Sequence, residues 1–415
     1  MVEIFTLVAK FFVAMITWAL IFIIAFTRFT TCQNGLGYKT PPMGWNPYNA
    51  FNNAFNETLI KQHADIIANQ GYLDVGFRYI NLDDGWQASE RTNDNKLTFD
   101  SSKFPNGIKD LADYLHKYGL LFGIYADAGN QTCGGHPGSL DYEDTDAQTF
   151  VDWGVDYLKY DNCNELRRPE QQRYQIMGNA LKNATAGNNK TIFYNICEWG
   201  TSNPWIWGPD AGGNSWRTPD IIAFWPSIIS IIDSQVRLTE YGESSRGWND
   251  PDMLVLGFDR IPYEEQVTHY AFWAALKAPL ILGCDLGKVT NETKALILNK
   301  DIISVNQDSL GLSICQVYYR TDNKSSFDIW NGQLNDGYVA ILFNRGIEPV
   351  SITLDFKEHC HLNGSIEVYN LVKQQSYGDY TNNYTAVNIP KHGVEFIKLI
   401  GGNDIDNDRP CLNYL

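Results

Sequence analysis

The stretch Asp156-Tyr-Leu-Lys-Tyr-Asp-Asn-Cys163 decides the fold, because it has the form of one short strand that ends in a carboxylate. Its aromatic and aliphatic residues are those that strands favour. Lys159 lies two residues before Asp161, so both side chains leave the same face of the strand. A cation beside a carboxylate favours the ionised form, and such a carboxylate can act as a nucleophile. A purely structural Lys159–Asp161 ion pair would give the same pattern.

The same texture repeats on both sides of this stretch, from Tyr38 to about Leu312. Short apolar runs alternate with amphipathic segments, which is typical of βα units and a parallel sheet. The predicted strands are Met43–Trp45, Phe77–Asp83, Leu120–Tyr125, the run that ends at Asp161, Thr191–Ile196, Asn214–Arg217, a strand within 248–256, and Pro279–Gly283. The predicted helices are 57–70, Ile108–Tyr118, Asp144–Trp153, Glu170–Leu181, a helix within 221–236, Tyr263–Leu276 and, as the last, Glu292–Asn299. Eight strand–helix repeats over about 270 residues predict a (β/α)8 TIM barrel.

The pattern changes after Leu312, where short strand-like runs without a helical period are separated by turns such as Asn335-Asp-Gly337. The predicted strands here are Ser325–Trp330, Tyr338–Leu342, Val350–Leu354, Ser365–Tyr369 and Val394–Lys398. This pattern predicts a small antiparallel β-sandwich domain. We therefore expect a catalytic barrel over 33–312 and a β domain over 313–415.

The N-terminus is apolar from Phe11 to Phe26, after Lys10 and before the small residues Thr30 to Cys32. We interpret 1–32 as a signal peptide that is removed, with an uncleaved anchor as the alternative. Both interpretations send the rest of the chain to a lumen or to the outside. Eight N-x-S/T sequons agree with that destination: Asn56, Asn130, Asn183, Asn189, Asn291, Asn323, Asn363 and Asn383.

The eight cysteines allow disulfides in such a compartment, although their connectivity does not follow from the sequence. If Cys32 leaves with the leader, the remaining count is odd and at least one thiol is unpaired. The net charge of −16 argues against nucleic acid or an anionic membrane as a partner of the mature protein. A homo-oligomer stays open.

Active sites of TIM barrels lie at the carboxyl ends of the strands. Residues at these ends are rich in carboxylates and indoles: Trp45, Asp83, Asp84, Tyr125, Asp127, Asp161, Glu198, Trp199, Trp216, Arg217, Asp220, Trp248, Asp250 and Asp252. Carboxylate pairs cleave glycosidic bonds, and indoles stack on sugar faces while charged groups hydrogen-bond the hydroxyls. The ring holds no phosphate loop, no Ser–His pair and no metal cluster, and we expect no cofactor.

Each of these residues also has a structural interpretation. Asp83 and Asp84 could cap a turn, any one of the tryptophans could belong to the core, and Arg217 could form a structural ion pair. The coincidence of all of them at one rim favours a functional site. His359-Cys-His361 looks like a metal motif, but we interpret it as a loop of the β domain without a metal.

The chain resembles the α-galactosidases of glycoside hydrolase family 27, the melibiase type, from Thr40 to Asp308. The motifs that carry the resemblance are TPPMGW at 40–45, INLDDGW at 80–86, GIYAD at 123–127, YLKYDNC at 157–163, CEWG at 197–200, NSWR at 214–217, WNDPDML at 248–254 and NQD at 306–308. Their number and order make the resemblance specific, whereas the β domain is similar without a sharp motif.

The resemblance implies a role for each matching residue. Asp161 matches the nucleophile and Asp220 the general acid/base of a retaining mechanism. The substrate-binding set is Trp45, Asp83, Asp84, Tyr125, Lys159, Glu198, Trp199, Arg217 and Asp252. Asp83 and Asp84 match the pair that holds the galactose 4- and 6-hydroxyls, and Cys133 and Cys163 match a disulfide beside the pocket.

Two features of the motifs bear on specificity and catalysis. Glu198 fits a free 2-hydroxyl rather than an acetamide, and two Asp residues at 83–84 fit a hexose rather than a pentose. The segment Arg217-Thr-Pro-Asp220 is one residue shorter than is usual in the family, which could move the carboxylate by up to ~3.5 Å. The expected activity is hydrolysis of terminal α-galactosides. The alternatives are an α-N-acetylgalactosaminidase and a catalytically inactive galactoside-binding protein.

Overall fold

The structure, a computed structural model, describes residues 39–187, 190–322 and 325–405. The predicted signal peptide over 1–32 lies outside these residues, as do Asn189, Asn323 and Cys411. Among the helices of the described part, none is long and apolar enough to cross a membrane.

The first part of the chain forms one sheet of eight parallel strands in the order β7-β6-β5-β4-β3-β2-β1-β8. The strands are β1 (Met43–Trp45), β2 (Tyr79–Asn81), β3 (Leu121–Asp127), β4 (Tyr157–Asp161), β5 (Phe193–Ile196), β6 (Ser215–Arg217), β7 (Trp248–Asp250) and β8 (Leu280–Leu282). A parallel bridge between Leu254, just after β7, and Leu282 in β8 joins the two ends of this order. The sheet thereby closes into the predicted TIM barrel.

Helices follow the strands and cover the outside of the barrel. They are α1 (Tyr48–Phe51), α2 (Glu57–Asn69), α3 (Ile108–Lys117), α4 (Glu143–Trp153), α5 (Glu170–Thr185), α6 (Pro204–Trp207), α7 (Trp225–Gln235), α8 (Tyr263–Ala275), α9 (Asn291–Ile297) and α10 (Lys300–Asn306). The helix α2 begins where the Asn56 side chain accepts a hydrogen bond from the Leu59 N–H, which satisfies one of the free donors of the first turn.

The two ends of the barrel differ in chemistry. Aromatic residues at the starts of four strands form a buried cluster of Tyr79, Tyr157, Phe193 and Trp248. The rings of Tyr157 and Phe193 stack with centroids 5.0 Å apart. Aromatic rings fill this end of the barrel. The cavity lined by polar residues lies at the other end, where the strands have their carboxyl ends.

The second part of the chain is an antiparallel β-sandwich, as predicted. A six-stranded sheet has the order β14-β13-β16-β11-β10-β9, and β12 pairs with β15. The strands are β9 (Cys315–Thr321), β10 (Ser326–Leu334), β11 (Gly337–Asn344), β12 (Val350–Asp355), β13 (Leu362–Asn370), β14 (Gln375–Tyr380), β15 (Asn383–Ile389) and β16 (Val394–Asp404). The short helix α11 (Phe356–Cys360) links β12 to β13.

The β domain packs on the barrel through helix α8. Phe272 lies edge-on to Trp330 and Phe343, with ring centroids 5.4 and 5.3 Å apart. The Thr268 hydroxyl donates to the His392 carbonyl at 2.6 Å. One hydrophobic core contains residues of both parts, including Trp330 and Phe343 beside the barrel residues.

The sequence-based boundaries were wrong in several places. A helix ending at Asn299 was expected to be the last, but Asn299 begins α10, because its side chain accepts from the Asp301 and Ile302 N–H groups. Helix α11 was missed because its five residues are too few for a helical period. Strands β9, β14 and β15 were missed because much of their surface is exposed and polar.

Candidate active site

A cavity of about 240 Å³ opens at the carboxyl ends of the barrel strands. Most of the residues predicted for catalysis and substrate binding line it: Asp83, Asp84, Tyr125, Lys159, Asp161, Trp199, Arg217, Asp220 and Asp252. The two predicted catalytic carboxylates, Asp161 and Asp220, therefore face the same space. The volume suits a ligand of the size of one sugar ring.

Asp161 is buried at the end of β4 and is held by neutral donors. Its Oδ2 accepts from the Tyr125 hydroxyl at 2.9 Å. Its Oδ1 accepts from the Trp199 indole N–H at 2.9 Å and from the Asn162 backbone N–H at 3.0 Å. These contacts fix the plane of the carboxylate at one wall of the cavity, as a nucleophile requires.

Lys159 does not make its ion pair with Asp161, contrary to the sequence-based expectation. Its Nζ lies 2.7 Å from Oδ2 of Asp83, which also accepts from the Asn46 amide at 2.7 Å. Burial would raise the pKa of Asp83, but Lys159 and the hydrogen bonds hold that pKa below its usual value. Burial raises the pKa of Asp161 above its usual value, against the opposing charge of Lys159.

Asp84 lies beside Asp83 in the cavity lining. Its Oδ2 accepts from the Gly134 N–H at 2.6 Å, whereas its buried Oδ1 has no hydrogen-bond partner among the described residues. Burial is the largest cause of the raised pKa of this carboxyl.

Arg217 gathers three carboxylates at the opposite wall. Its Nη1 lies 2.8 Å from Asp220 Oδ1, its Nη2 3.1 Å from Asp252 Oδ1, and its Nε 3.4 Å from Asp250 Oδ2. The Arg217 and Asp252 side chains are buried, while the Asp220 side chain is 57% exposed. The general acid/base candidate thus lies at the mouth of the cavity, bound to a buried cation.

Two predicted substrate-binding residues lie away from the cavity lining. Trp45 is fully buried, stacks on His63 with ring centroids 4.3 Å apart, and donates its indole N–H to the Cys284 carbonyl. Glu198 is also fully buried, and its Oε1 accepts from the Thr201 hydroxyl and from the Ser202 N–H. From the same loop, Trp199, with a left-handed φ of 67°, and Cys197 line the cavity.

Several residues that line the cavity were not predicted as site residues: Tyr48, Asn49, Cys197, Ile221 and Met253. Tyr48 is the first residue of α1, the helix after β1, and its ring lies 5.9 Å from the Lys159 ammonium. Its aromatic side chain beside the first strand end was a usable signal. Cys197 and Ile221 had no signal of their own, because apolar residues near a strand end read as core.

The Cys133–Cys163 disulfide forms as the resemblance implied. It joins the loop after β3 to the loop after β4, and Cys133 lines the cavity. Cys197, Cys284 and Cys360 are buried free thiols, so the described part of the chain holds unpaired cysteines.

Asp127 is a further carboxyl group behind the nucleophile. The β3–β4 register places it beside Asp161, and its Oδ2 lies 3.4 Å from the Tyr125 hydroxyl. Burial and the charge of Asp161 raise the pKa of Asp127 to about 8. Because two adjacent buried carboxylates repel each other, the charge of Asp161 disfavours the ionised form of Asp127.

His359-Cys-His361 lies in the β domain, away from this cavity. His359 and Cys360 belong to α11, and the His359 Nδ1 accepts from the Asp355 N–H at 3.0 Å. A ring nitrogen occupied in this way caps the helix. The geometry explains the motif as local structure.

The fold and the chemistry of the cavity define the class of protein: a TIM-barrel enzyme that acts on carbohydrate. Paired carboxylates, an indole and ionised side chains that can bind hydroxyls face one sugar-sized space.

Comparisons with known proteins agree. Residues 40–308 match the family model of alpha galactosidase A, and 324–399 match that of the alpha galactosidase C-terminal beta sandwich domain. The alpha-galactosidase of Oryza sativa subsp. japonica is 43% identical over 81% of this chain and 78% of its own length. The probable alpha-galactosidase of Dictyostelium discoideum is 38% identical over 92% of this chain and 97% of its own. The structure of alpha-galactosidase I from Mortierella vinacea superposes with a TM-score of 0.83 at 38% identity, covering 88% of this chain and 98% of that one.

The chain therefore belongs to the α-galactosidases of glycoside hydrolase family 27.

Proposed function

We propose that this protein hydrolyses terminal, non-reducing α-D-galactosyl residues of oligosaccharides, polysaccharides or glycolipids by a retaining double displacement. The observation that carries the proposal is the orientation of Asp161, which two side-chain donors and one backbone N–H fix at the wall of a sugar-sized cavity. Family membership supports the same activity.

In the first step Asp161 attacks C1 of the galactoside, and a bond forms between Oδ and C1 as the glycosidic C1–O bond breaks. Asp220 gives its proton to the leaving oxygen. In the second step Asp220 takes a proton from water, whose oxygen attacks C1. The ester bond to Asp161 then breaks, and α-galactose leaves.

The remaining lining residues supply binding. Asp83, kept ionised by Lys159, and Asp84 line the cavity and supply carboxyl acceptors for sugar hydroxyls. Glu198 lies away from the cavity, so the fit of the 2-hydroxyl falls to Trp199 instead. The Trp199 indole N–H donates a hydrogen bond to Asp161, the nucleophile that attacks C1. The bulky indole ring is therefore close to C2 of the sugar, where it disfavours an acetamido group.

The Cys133–Cys163 disulfide supports an oxidising compartment, which is a secretory or vacuolar lumen or the outside. The sequon asparagines in the described part are all exposed and accessible to glycosylation: Asn56, Asn130, Asn183, Asn291, Asn363 and Asn383.

The relatives reported above are named for the same activity, and raffinose is bound in the solved structure of the Saccharomyces cerevisiae enzyme.

The test is hydrolysis of p-nitrophenyl α-galactoside beside its N-acetylgalactosaminide analogue, with the anomer of the released sugar followed by NMR. We expect the galactoside to be hydrolysed and α-galactose to appear first. Asp161→Asn should lose at least about a thousand-fold in kcat while galactose still binds and the melting temperature holds. Hydrolysis of the acetamido substrate alone, release of β-galactose first, or a folded Asp161→Asn enzyme with unchanged turnover would overturn the proposal.

A further inference from the structure

The segment that carries Asp220 is held from behind by a buried carboxylate. Asp252 Oδ2 accepts the backbone N–H of Ile221, the residue directly after Asp220, at 2.8 Å. Asp252 Oδ1 lies 3.1 Å from Arg217 Nη2, and the other end of the same guanidinium lies 2.8 Å from Asp220 Oδ1. Asp252 therefore reaches Asp220 by two routes, through the backbone and through Arg217.

Asp252 is itself fixed in place. Its backbone adopts a left-handed φ of 75°, which is costly for a residue with a side chain. Its carbonyl accepts from the Trp273 indole N–H at 2.7 Å, and its N–H donates to Asp250 Oδ1 at 2.9 Å. Hydrogen bonds with β7 and α8 thus hold Asp252 in a strained backbone conformation. Such strain persists only where the surrounding structure enforces it.

The Asp220 side chain, in contrast, is more than half exposed. An exposed carboxyl group on a loop samples several rotamers unless another group restrains it. A general acid must lie within hydrogen-bond reach of the leaving oxygen, so the restraint on Asp220 governs how often it can transfer a proton.

We propose that Asp252 is a positioning residue for proton transfer: it holds the Ile221 N–H and Arg217, and thereby directs the Asp220 carboxyl toward the leaving-group oxygen. This proposal rests on the proposed function. It replaces a sugar-binding role for Asp252, because both of its carboxylate oxygens are engaged by the protein: Oδ1 also accepts the Met253 N–H at 2.7 Å. Burial, opposed by Arg217, raises the pKa of Asp252 to about 6.

Leaving-group dependence separates positioning of an acid from sugar binding. 2,4-Dinitrophenolate departs without a proton, whereas phenolate needs one. We expect Asp252→Ala to lower kcat/KM for phenyl α-galactoside about a hundred-fold, the range of general acid catalysis, and to change that for the 2,4-dinitrophenyl substrate less than about five-fold. Asp252→Asn, which keeps one acceptor oxygen, should lie between the wild type and Asp252→Ala. Asp220→Asn should show the same pattern.

Azide supplies a second readout. When the base for water is misplaced, azide can attack C1 of the galactosyl-enzyme directly, the ester bond to Asp161 breaks, and α-galactosyl azide forms without any proton transfer. We expect azide to raise kcat of the Asp252 variants on the dinitrophenyl substrate and not that of the control Asp113→Asn, whose carboxyl group pairs with Lys109 on the surface.

Equal losses on both aryl substrates, or galactose inhibition weakened in step with kcat/KM, would overturn the positioning role. If Asp252→Ala fails to fold, Asp252→Asn gives the same comparison. Absence of hydrolysis by the wild-type enzyme on any galactoside would instead contradict the proposed function, so the two failures are distinct.

Discussion

Lys159 binds Asp83, with its Nζ 2.7 Å from Oδ2 of that carboxylate. Lys159 in β4 therefore pairs with Asp83, the predicted sugar-binding acid that follows β2. The candidate nucleophile Asp161 is oriented instead by neutral hydroxyl, indole and amide donors. Burial raises the pKa of Asp161, and the charge of Lys159 opposes this rise without a direct contact.

Lys159→Met tests the value of this pair. The substitution leaves Asp83 buried beside an apolar side chain, and breaking a buried ion pair in this way costs about 3–5 kcal/mol. We expect the free energy of unfolding, measured in urea, to fall by that order. Lys109→Met is the matched control, because its partner Asp113 and Lys109 itself are exposed and such pairs contribute about 1 kcal/mol or less. Similar losses in both variants would show that Asp83 is not an uncompensated charge.

Tyr125→Phe tests the donor to the nucleophile. A hydrogen bond to a charged group contributes about 1.5–3 kcal/mol, so kcat/KM should fall about ten- to a hundred-fold. Burial raises the pKa of Asp161 and the Tyr125 hydroxyl lowers it. Without the hydroxyl this pKa rises further, and the acidic limb of the kcat/KM profile should move to higher pH.

The control for that experiment is Tyr142→Phe, since Tyr142 packs under Arg91 away from the cavity lining. We expect its rate and pH profile to match the wild type. A rate loss in Tyr125→Phe with an unmoved acidic limb would mean that the ring, and not the hydroxyl, matters.

Asp127→Asn tests the raised pKa of the carboxyl group behind the site through the pH dependence of stability. The pKa of Asp127 is about 8 in the folded protein, against 3.8 for an unperturbed Asp. The folded state therefore keeps a proton that the unfolded state has released, so this contribution is complete below pH 3.8 and is lost as pH rises to 8. The loss is about 1.4 kcal/mol per pH unit.

Because Asn is neutral at every pH, the free energy of unfolding of Asp127→Asn should fall less steeply between pH 5 and 8, by about one proton's slope. Urea titrations across that range measure it. Asp94→Asn is the control: Asp94 is exposed, and hydrogen bonds from Thr92 and Lys96 lower its pKa, so its slope above pH 5 should equal that of the wild type. Parallel curves for all three proteins would show that Asp127 is ionised in the fold.

The barrel was predictable because its strands and helices differ in period and length. The apolar run before Asp161 predicts a strand, and the spacing of Leu59, Ile60, Ile66 and Ile67 predicts a helix. Ile60 and Ile67 are fully buried, whereas Leu59 and Ile66 are partly buried. Edge strands such as β14 carry exposed polar side chains, so their pairing is set by neighbours rather than by their own pattern. Single-turn helices such as α11 contain too few residues for a period to reveal them.

The site was predictable in its composition but less so in its pairing. Strand ends locate Asp83, Asp161 and Arg217, because the carboxyl ends of a barrel meet at one face. Which carboxylate receives Lys159 depends on the distance across two strands, and Glu198 turns away because a loop offers it the Ser202 N–H. These side-chain pairings depend on tertiary geometry, so the spacing of residues along the sequence does not predict them.

The edge-on contacts of Phe272 with Trp330 and Phe343 mean that the two parts of the molecule are not interchangeable modules. A truncated variant that keeps the barrel and lacks the β domain would expose an apolar patch the size of several aromatic rings. Such a patch favours aggregation. Variants with a changed substrate preference should therefore alter the loops around the cavity in the full chain, and keep the face of helix α8 that contacts the β domain.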